Sequence, residues 1–137
     1  MKFVNNLLGA IVGLAMMSVG AAAEVSPTAV DGATTVSVDE AVELFDQGAV
    51  FVDVRKASDV DAGTVPGAVH LDVNTGLTAE SLAEVAGTSD PVVFFCNGVS
   101  CLRSSDACVM AVEWGYTTVY YLRDGYPAWE AAGYPVQ

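Results

Sequence analysis

Residues 91–105 have the sequence PVVFFCNGVSCLRSS, in which a run of strand-forming residues ends at Cys96 and a loop of small residues follows. The continuous apolar run is typical of a strand that is covered on both faces of a sheet. Residues 102–114 then carry apolar side chains at helical spacing. A strand, a tight loop and a helix in this order place Cys96 at the carboxyl end of a strand, where α/β proteins bind their ligands.

The loop after Cys96 is predicted to be an anion-binding site. Backbone N–H groups of a tight loop and of the first helical turn have no partner within the helix, so they favour a negative charge. A cysteine held there is expected to be acidic and nucleophilic, and Arg103 would add a fixed positive charge. The alternative is that Cys96, which follows two phenylalanines, is an inert buried side chain and that Arg103 is a solvated helix residue.

The first 23 residues have the features of a cleaved signal peptide. Lys2 gives a positive start, residues 7–19 are mainly apolar, and residues 21–23 are three alanines of the kind found before a cleavage site. A single uncleaved membrane span is the alternative, which the glycines in the apolar run disfavour. We therefore expect a periplasmic or otherwise exported protein that begins at Glu24 and has no stable membrane span after cleavage.

Acidic residues dominate the composition. The chain has 17 Asp and Glu against 5 Lys and Arg, for a net charge of −12. Loss of residues 1–23 removes one lysine and no acid, which brings the charge near −13. This charge argues against a nucleic-acid partner, and it opposes the approach of free anions except where the local loop attracts them. The other explanation is that acidity keeps an exported protein soluble.

Three cysteines lie within thirteen residues: Cys96, Cys101 and Cys108. Three cysteines cannot all pair within one chain, so at least one thiol stays free. A zinc site is disfavoured because His70 is the single histidine and the cysteines lack the spacing of zinc modules; we predict no metal and no cofactor. Cys108 falls on the apolar face of a helix and is predicted to be a core residue. His70 is predicted to be packed or hydrogen-bonded rather than a catalytic base.

The rest of the chain alternates between strand and helix patterns. Strands are predicted at 34–36, 49–54, 68–71, 91–95 and 117–122, and helices from the Ser37 capping box to Gln47 and at 78–85, 102–114 and 126–132. This alternation predicts an α/β fold with a mainly parallel central sheet and helices on both faces. Residues 24–33 are predicted to be a flexible lead-in to a domain over 34–137, and the polar stretch after Arg55 has no predicted element.

Four segments in order, FVDVR (51–55), AGTVPGAVHL (62–71), VVFFC (92–96) and YLRDGYPAW (121–129), resemble the single-domain rhodanese-like proteins. The similarity extends from Thr34 to Val136. It implies a three-layer α/β sandwich and a sulfurtransferase of the thiosulfate sulfurtransferase type. In such an enzyme Cys96 would take a sulfane sulfur from thiosulfate or a persulfide donor and pass it to a thiol or cyanide, in two covalent steps that need no cofactor.

The site implied by this resemblance has Cys96 as the catalytic residue. Asp53 and Arg55 are predicted to be supporting residues that brace the strand end near the loop, and the alternative for Arg55 is a contact with substrate. The anion- and substrate-binding loop comprises Asn97, Gly98, Val99, Ser100, Cys101, Leu102, Arg103 and Ser104. The loop departs from the usual family pattern, because six residues instead of four separate Cys96 from Arg103 and one of them is Cys101. We hypothesise that Cys101 is a resolving thiol, which attacks the persulfide, releases hydrogen sulfide and leaves a disulfide. The alternative is that Cys101 is simply a small loop residue.

Two other function classes stay open at this stage. The first is a thiol redox or binding module that uses Cys96 and Cys101. The second is a cysteine phosphatase or arsenate reductase, which is disfavoured because Phe95 stands where phosphatases place a histidine and because Arg103 is too far along the loop. The expected partners are a small sulfur donor, a thiol acceptor or a partner protein.

Overall fold

The computed structural model describes residues 25–137, whose central layer is a five-stranded sheet. The strands are Ala33–Thr35 (β1), Val50–Asp53 (β2), Val69–His70 (β3), Val92–Phe95 (β4) and Val119–Leu122 (β5). They lie in the order β1-β5-β4-β2-β3, and every neighbouring pair is parallel. The predicted α/β fold with a parallel sheet is confirmed.

Helices cover both faces of this sheet. They are Val38–Asp46 (α1), Ala57–Ala62 (α2), Ala79–Ala83 (α3), Arg103–Glu113 (α4) and Gly125–Ala131 (α5). Residues of α3 and α4 pack with Val92 and Phe94 on one face, and residues of α1 and α5 pack with Val93 and Phe95 on the other. The alternation of side chains along β4 therefore builds two cores, as expected of a strand buried on both faces.

The central strand β4 fixes the position of Cys96. All four of its residues are fully buried, and it pairs with β2 on one side and β5 on the other. Cys96 is the next residue after β4 and has no solvent exposure. The sheet thus delivers the thiol to its carboxyl edge beneath the loop that follows.

The sequence predicts α1 correctly but does not predict α2. The predicted capping box begins α1: Glu40 N–H donates to Ser37 Oγ (3.2 Å), and Ser37 N–H donates to Glu40 Oε1 (3.1 Å). The helix α2 was not predicted. It has six residues, no side-chain cap at Lys56 and no buried residue, so its sequence carries neither a capping signal nor an apolar period.

The lead-in over residues 25–33 differs from the predicted flexible segment. Ser26 and Val30 are buried, and the Pro27 carbonyl accepts a hydrogen bond from the Tyr121 hydroxyl (3.0 Å). Arg123 donates to both Ser26 Oγ (3.1 Å) and the Ser26 carbonyl (2.9 Å). The segment is held because its backbone supplies acceptors to side chains at the end of β5, a pairing that composition alone does not reveal.

Two other predictions concern burial and the membrane. Cys108 lies in the core as predicted, and burial raises the pKa of its thiol to about 12. The predicted signal peptide, residues 1–23, lies outside the described residues. Within residues 25–137, no helix has the length and apolar character needed to cross a membrane.

Gly125 permits a close approach between α5 and the loop after Cys96. Its φ is +72°, and a Cβ there would overlap the Cys96 carbonyl oxygen and the Gly98 backbone nitrogen. The Tyr126 N–H, one residue on, donates to that same carbonyl (2.8 Å). Only glycine fits both the left-handed backbone and this contact.

We therefore expect Gly125→Ala to lower the free energy of unfolding by about 2–5 kcal/mol, the sum of backbone strain and overpacking. Gly133→Ala is the matched control, because Gly133 also has a positive φ (+82°) but nothing lies within 4 Å of its added Cβ. The control is expected to lose about 1–2 kcal/mol. Urea denaturation of both variants measures the difference, and equal losses would contradict the role given to the close contact.

Candidate active site

The Cys96 side chain lies beneath its loop and acts as a hydrogen-bond donor. Its thiol donates to Ser104 Oγ (3.1 Å) and lies 3.6 Å from the Cys101 carbonyl oxygen. Ser104 is fully buried near the start of α4. The sulfur is therefore held between the loop and the first turn of the helix, away from bulk water.

The loop has a defined backbone conformation. Gly98 has a φ of +112°, and the Cys101 N–H donates to the Gly98 carbonyl (3.0 Å). Val99 and Ser100 are exposed at its tip, and Ser26 holds the tip by donating from its N–H and its Oγ to the Val99 carbonyl (2.7 Å each). The loop is thus fixed from the lead-in as well as from α5.

Cys101 is the acidic thiol of the site. The neighbouring Cys96 thiol, the backbone N–H groups of Asn97 and Arg103 and the charge of Arg103 lower the pKa of Cys101 to about 6, against the opposing effect of burial. A partly buried thiolate at neutral pH follows from this arrangement.

The pKa of Cys96 shifts in the opposite direction. The neighbouring Cys101 sulfur and burial both raise the pKa of the Cys96 thiol, against the opposing effect of Ser104. The sequence predicts an acidic Cys96, whereas burial beside Cys101 favours its protonated form in this structure.

A buried network joins β2 to the start of the loop. Arg55 and Asp53 form an ion pair (2.8 Å) with almost no exposure, and Thr64 Oγ1 donates to Asp53 Oδ2 (2.7 Å). Arg55 Nη1 also donates to Asn97 Oδ1 (3.1 Å), and Asn97 Nδ2 donates to Asp59 Oδ2 of α2 (3.0 Å). Asp53 and Arg55 therefore connect the end of β2 to Asn97 at the start of the loop.

Each of the three nitrogens of the Arg55 guanidinium donates to a protein group. The guanidinium also donates to the Gly63 carbonyl (2.6 Å) and its Cζ lies 4.5 Å from the centre of the Tyr126 ring, a distance typical of a cation–π contact. Because its donors and its face are engaged inside the protein, Arg55 positions the loop in this structure.

The Arg103 side chain contacts Asp72 and the end of β2. Its Nη1 donates to Asp72 Oδ1 (2.9 Å) and to the Val54 carbonyl (3.3 Å). The pKa of Asp72 is lowered, first by the Asn74 N–H that it accepts and also by Arg103. The guanidinium fork is thus tied to the end of β2, and Arg103 acts on Cys101 through its backbone N–H and its charge.

The remaining candidates lie apart from the sulfur atoms. His70 is exposed, and its Nε2 lies 2.7 Å from the Arg55 carbonyl oxygen. Among residues 25–137, no group of three His, Cys, Asp or Glu side chains is arranged to hold a metal ion.

Sequence reasoning missed Ser26, Asp59 and Asp72 as neighbours of the site. Each is far along the chain from the loop and belongs to no recognisable motif. Gly125 and Tyr126 lie within one of the four segments that carried the family resemblance. That segment was the sequence signal from which their position beside the loop could have been predicted.

Comparisons with known proteins agree with this architecture. A family model described as a rhodanese-like domain matches residues 37–132. The thiosulfate sulfurtransferase GlpE of Pseudomonas savastanoi pv. phaseolicola is 36% identical over 98 residues, which cover 71% of this chain and 86% of GlpE. The HTH-type transcriptional regulator Rv0324 of Mycobacterium tuberculosis is 38% identical over 85 residues, 62% of this chain, but this chain spans only 36% of that regulator.

Among solved structures, the human single-domain sulfurtransferase TSTD1 superimposes with a TM-score of 0.61 and 28% identity. The match covers 72% of this chain and 96% of TSTD1. The family model spans β2 to β5, all five helices and the loop that follows Cys96. On this evidence, the chain belongs to the rhodanese-like domain family.

Proposed function

We propose that this protein is a sulfurtransferase that carries a sulfane sulfur on Cys96. The observation that carries the proposal is the position of Cys96 at the carboxyl end of β4 beneath its loop, where its sulfur lies 3.1 Å from Ser104 Oγ and 3.6 Å from the Cys101 carbonyl oxygen. The similarity to proteins named thiosulfate sulfurtransferase supports the same reaction class. Export of the protein, predicted from residues 1–23, is part of this proposal and sets an oxidising compartment for its thiols.

The first step loads Cys96. The neighbouring Cys101 thiolate takes the proton of Cys96, and the Cys96 sulfur attacks the outer sulfur of the donor. An S–S bond forms at Cys96 while the donor's S–S bond breaks, so thiosulfate leaves as sulfite and a persulfide donor leaves as its thiolate. The products are a Cys96 persulfide anion and a neutral Cys101, so charge and proton balance.

The second step unloads Cys96. A thiolate or cyanide attacks the outer sulfur of the persulfide, and the bond from that sulfur to Cys96 breaks. Cys96 leaves as a thiolate and recovers its proton from Cys101. Ser104 and the backbone N–H groups near Cys101 support this exchange, since fixed donors near the sulfur atoms stabilise the charge as it forms.

A dithiol function of the same pair is the second candidate, favoured by the Cys96 sulfur lying 3.6 Å from the Cys101 carbonyl oxygen. Cys101 would give its proton to the outer sulfur of the persulfide and then attack the inner sulfur as a thiolate, which gives a Cys96–Cys101 disulfide and releases HS⁻. An external thiol reductant would then restore both thiols. The three cysteines are free thiols in the structure, so the dithiol form is the one described above.

The first test is sulfur loading. We expect the reduced protein, purified as the cell processes it, to gain one sulfur atom on Cys96 after exposure to thiosulfate or a persulfide donor, and to lose it to cyanide. Cys96→Ser is expected to abolish loading, whereas Cys108→Ser, which changes a core thiol outside the loop, is expected to retain it. Intact and peptide mass spectra measure the increment. Absence of a cyanide-labile sulfur with both donors would refute the sulfurtransferase proposal.

The second test is the pH dependence of loading by thiosulfate. Because the step needs the Cys101 thiolate, the rate is expected to rise with pH through about 6, the lowered pKa of Cys101, and then to level off. Cys101→Ser removes this base, so we expect a loss of about a hundredfold at pH 7 and a rise only at higher pH, as Cys96 ionises by itself. Quenched-flow mass spectrometry between pH 5 and 9 gives both profiles. Identical profiles would mean that Cys101 takes no part in loading.

The third test separates the carrier from the dithiol function. Persulfide-loaded protein left without acceptor is expected to release sulfide and form a Cys96–Cys101 disulfide, whereas loaded Cys101→Ser should keep its sulfur. Sulfide release and peptide mapping under non-reducing conditions measure the two products. If the wild-type persulfide is as long-lived as that of the variant, Cys101 is not a resolving thiol.

A further inference from the structure

A surface groove lies between α4 and the lead-in before β1. It encloses about 710 Å³. Its apolar lining consists of Pro27, Ala29, Val30, Leu102, Val109 and Val112. The sulfur-transfer steps above use none of these side chains, so the groove is a feature of the surface that they leave unexplained.

The groove carries negative charge on both sides. Asp31 of the lead-in and Asp106 and Glu113 of α4 also line it, and no basic residue does. Asp106 and Glu113 are two helical turns apart, so they lie on one face of α4. An apolar floor between carboxylates is complementary to an apolar segment that carries lysine or arginine.

Exposed apolar side chains are concentrated on this side of the molecule. Of the four large apolar residues that are exposed within residues 25–137, Val109 (45% exposed) lies in the groove. Val99 lies at the tip of the loop, and the hydrogen bonds from Ser26 to the Val99 carbonyl bring Val25 to the same place. Clustered exposed apolar residues mark interaction sites more often than scattered ones.

The groove is continuous with the reactive loop. Leu102 lines the groove and directly follows Cys101 in the chain, and its carbonyl accepts a hydrogen bond from Ser105 at the start of α4 (2.8 Å). A segment bound in the groove would therefore end beside the loop that covers Cys96.

We propose that this groove docks a basic, apolar segment of the partner protein that receives sulfur from Cys96. The proposal rests on the sulfurtransferase function and adds to it the chemical class of the acceptor. The carboxylates favour a protein partner over an anionic membrane surface, because they would repel the membrane. Thiosulfate is a small anion without apolar surface, so an apolar groove would not bind it. The acceptor thiolate would attack the outer sulfur of the Cys96 persulfide, so that the acceptor becomes the persulfide and Cys96 leaves as a thiolate.

Binding is tested first, without sulfur chemistry. The probe is a fluorescein-labelled peptide of alternating lysine and leucine that ends in serine, and its control has glutamate in place of each lysine. We expect fluorescence anisotropy to show saturable binding of the basic peptide only. Asp106→Asn with Glu113→Gln should weaken this binding by about three- to tenfold, since exposed ion pairs contribute this much, and Val109→Ser should weaken it as well.

Matched control variants lie elsewhere on the surface. Glu80→Gln with Glu84→Gln removes two exposed carboxylates from the region of α3, and Val136→Ser changes the fourth exposed apolar residue. Neither control is expected to alter peptide binding. Equal binding to the groove variants and to the controls would overturn the proposal, as would equal binding of the basic and acidic peptides.

Sulfur transfer is then measured with the same peptides ending in cysteine. We expect loaded protein to pass sulfur several-fold faster to the basic peptide than to the acidic one, and the groove variants to lose this preference while cyanide still removes the sulfur at the wild-type rate. If loading occurs but no preference exists, the docking proposal fails and the sulfurtransferase proposal stands. If the basic peptide binds in the groove but Cys96 never loads, the docking surface stands and the sulfur reaction fails. Dimers in sedimentation that Val109→Ser disrupts, or binding to anionic lipid vesicles, would assign the groove to another occupant and overturn the proposal.

Discussion

The Asp53–Arg55 ion pair lies at the carboxyl end of β2 with 0% and 3% of its side chains exposed. Removing two charges from water costs several kcal/mol unless further hydrogen bonds satisfy them. Here the Gly63 carbonyl, the Thr64 hydroxyl and the Asn97 side chain supply those bonds. These hydrogen bonds hold the start of the reactive loop in place relative to the sheet. The need to stabilise the buried charges therefore constrains the geometry around Cys96.

The loop held in this way gives its two thiols different roles. The surroundings lower the pKa of Cys101 and raise that of the more deeply buried Cys96. A buried thiol that keeps its proton is protected from adventitious oxidation, because the thiolate is the reactive form. In the proposed sulfurtransferase reaction, proton transfer to Cys101 would make the buried Cys96 reactive when a donor binds.

The parts of this arrangement that the sequence predicted are those with strong local signals. Residues of β4 form a continuous apolar run, and Ser37 and Glu40 form a capping box, so both elements could be placed from their own residues. The helix α2 could not, since it buries nothing and has no cap. The opposite pKa shifts of Cys96 and Cys101 could not be predicted for a different reason: they depend on the burial and neighbours of each sulfur in the folded protein, which the spacing between cysteines does not encode.

The distribution of charge links the site to the kind of molecule that it can serve. Residues 25–137 contain four basic side chains. Three of them make contacts within the protein: Arg55 with Asp53, Arg103 with Asp72 and Arg123 with Ser26. The outer surface is therefore acidic. Its electrostatic potential repels an approaching dianion such as thiosulfate and attracts a positively charged protein surface. Local donors at the loop can stabilise a sulfur anion once it forms there, but they act over a short range. A sulfur donor or acceptor carried by a positively charged protein would be attracted by the acidic surface at long range and by the loop donors at short range. A small anion would be attracted only by the loop donors, at contact.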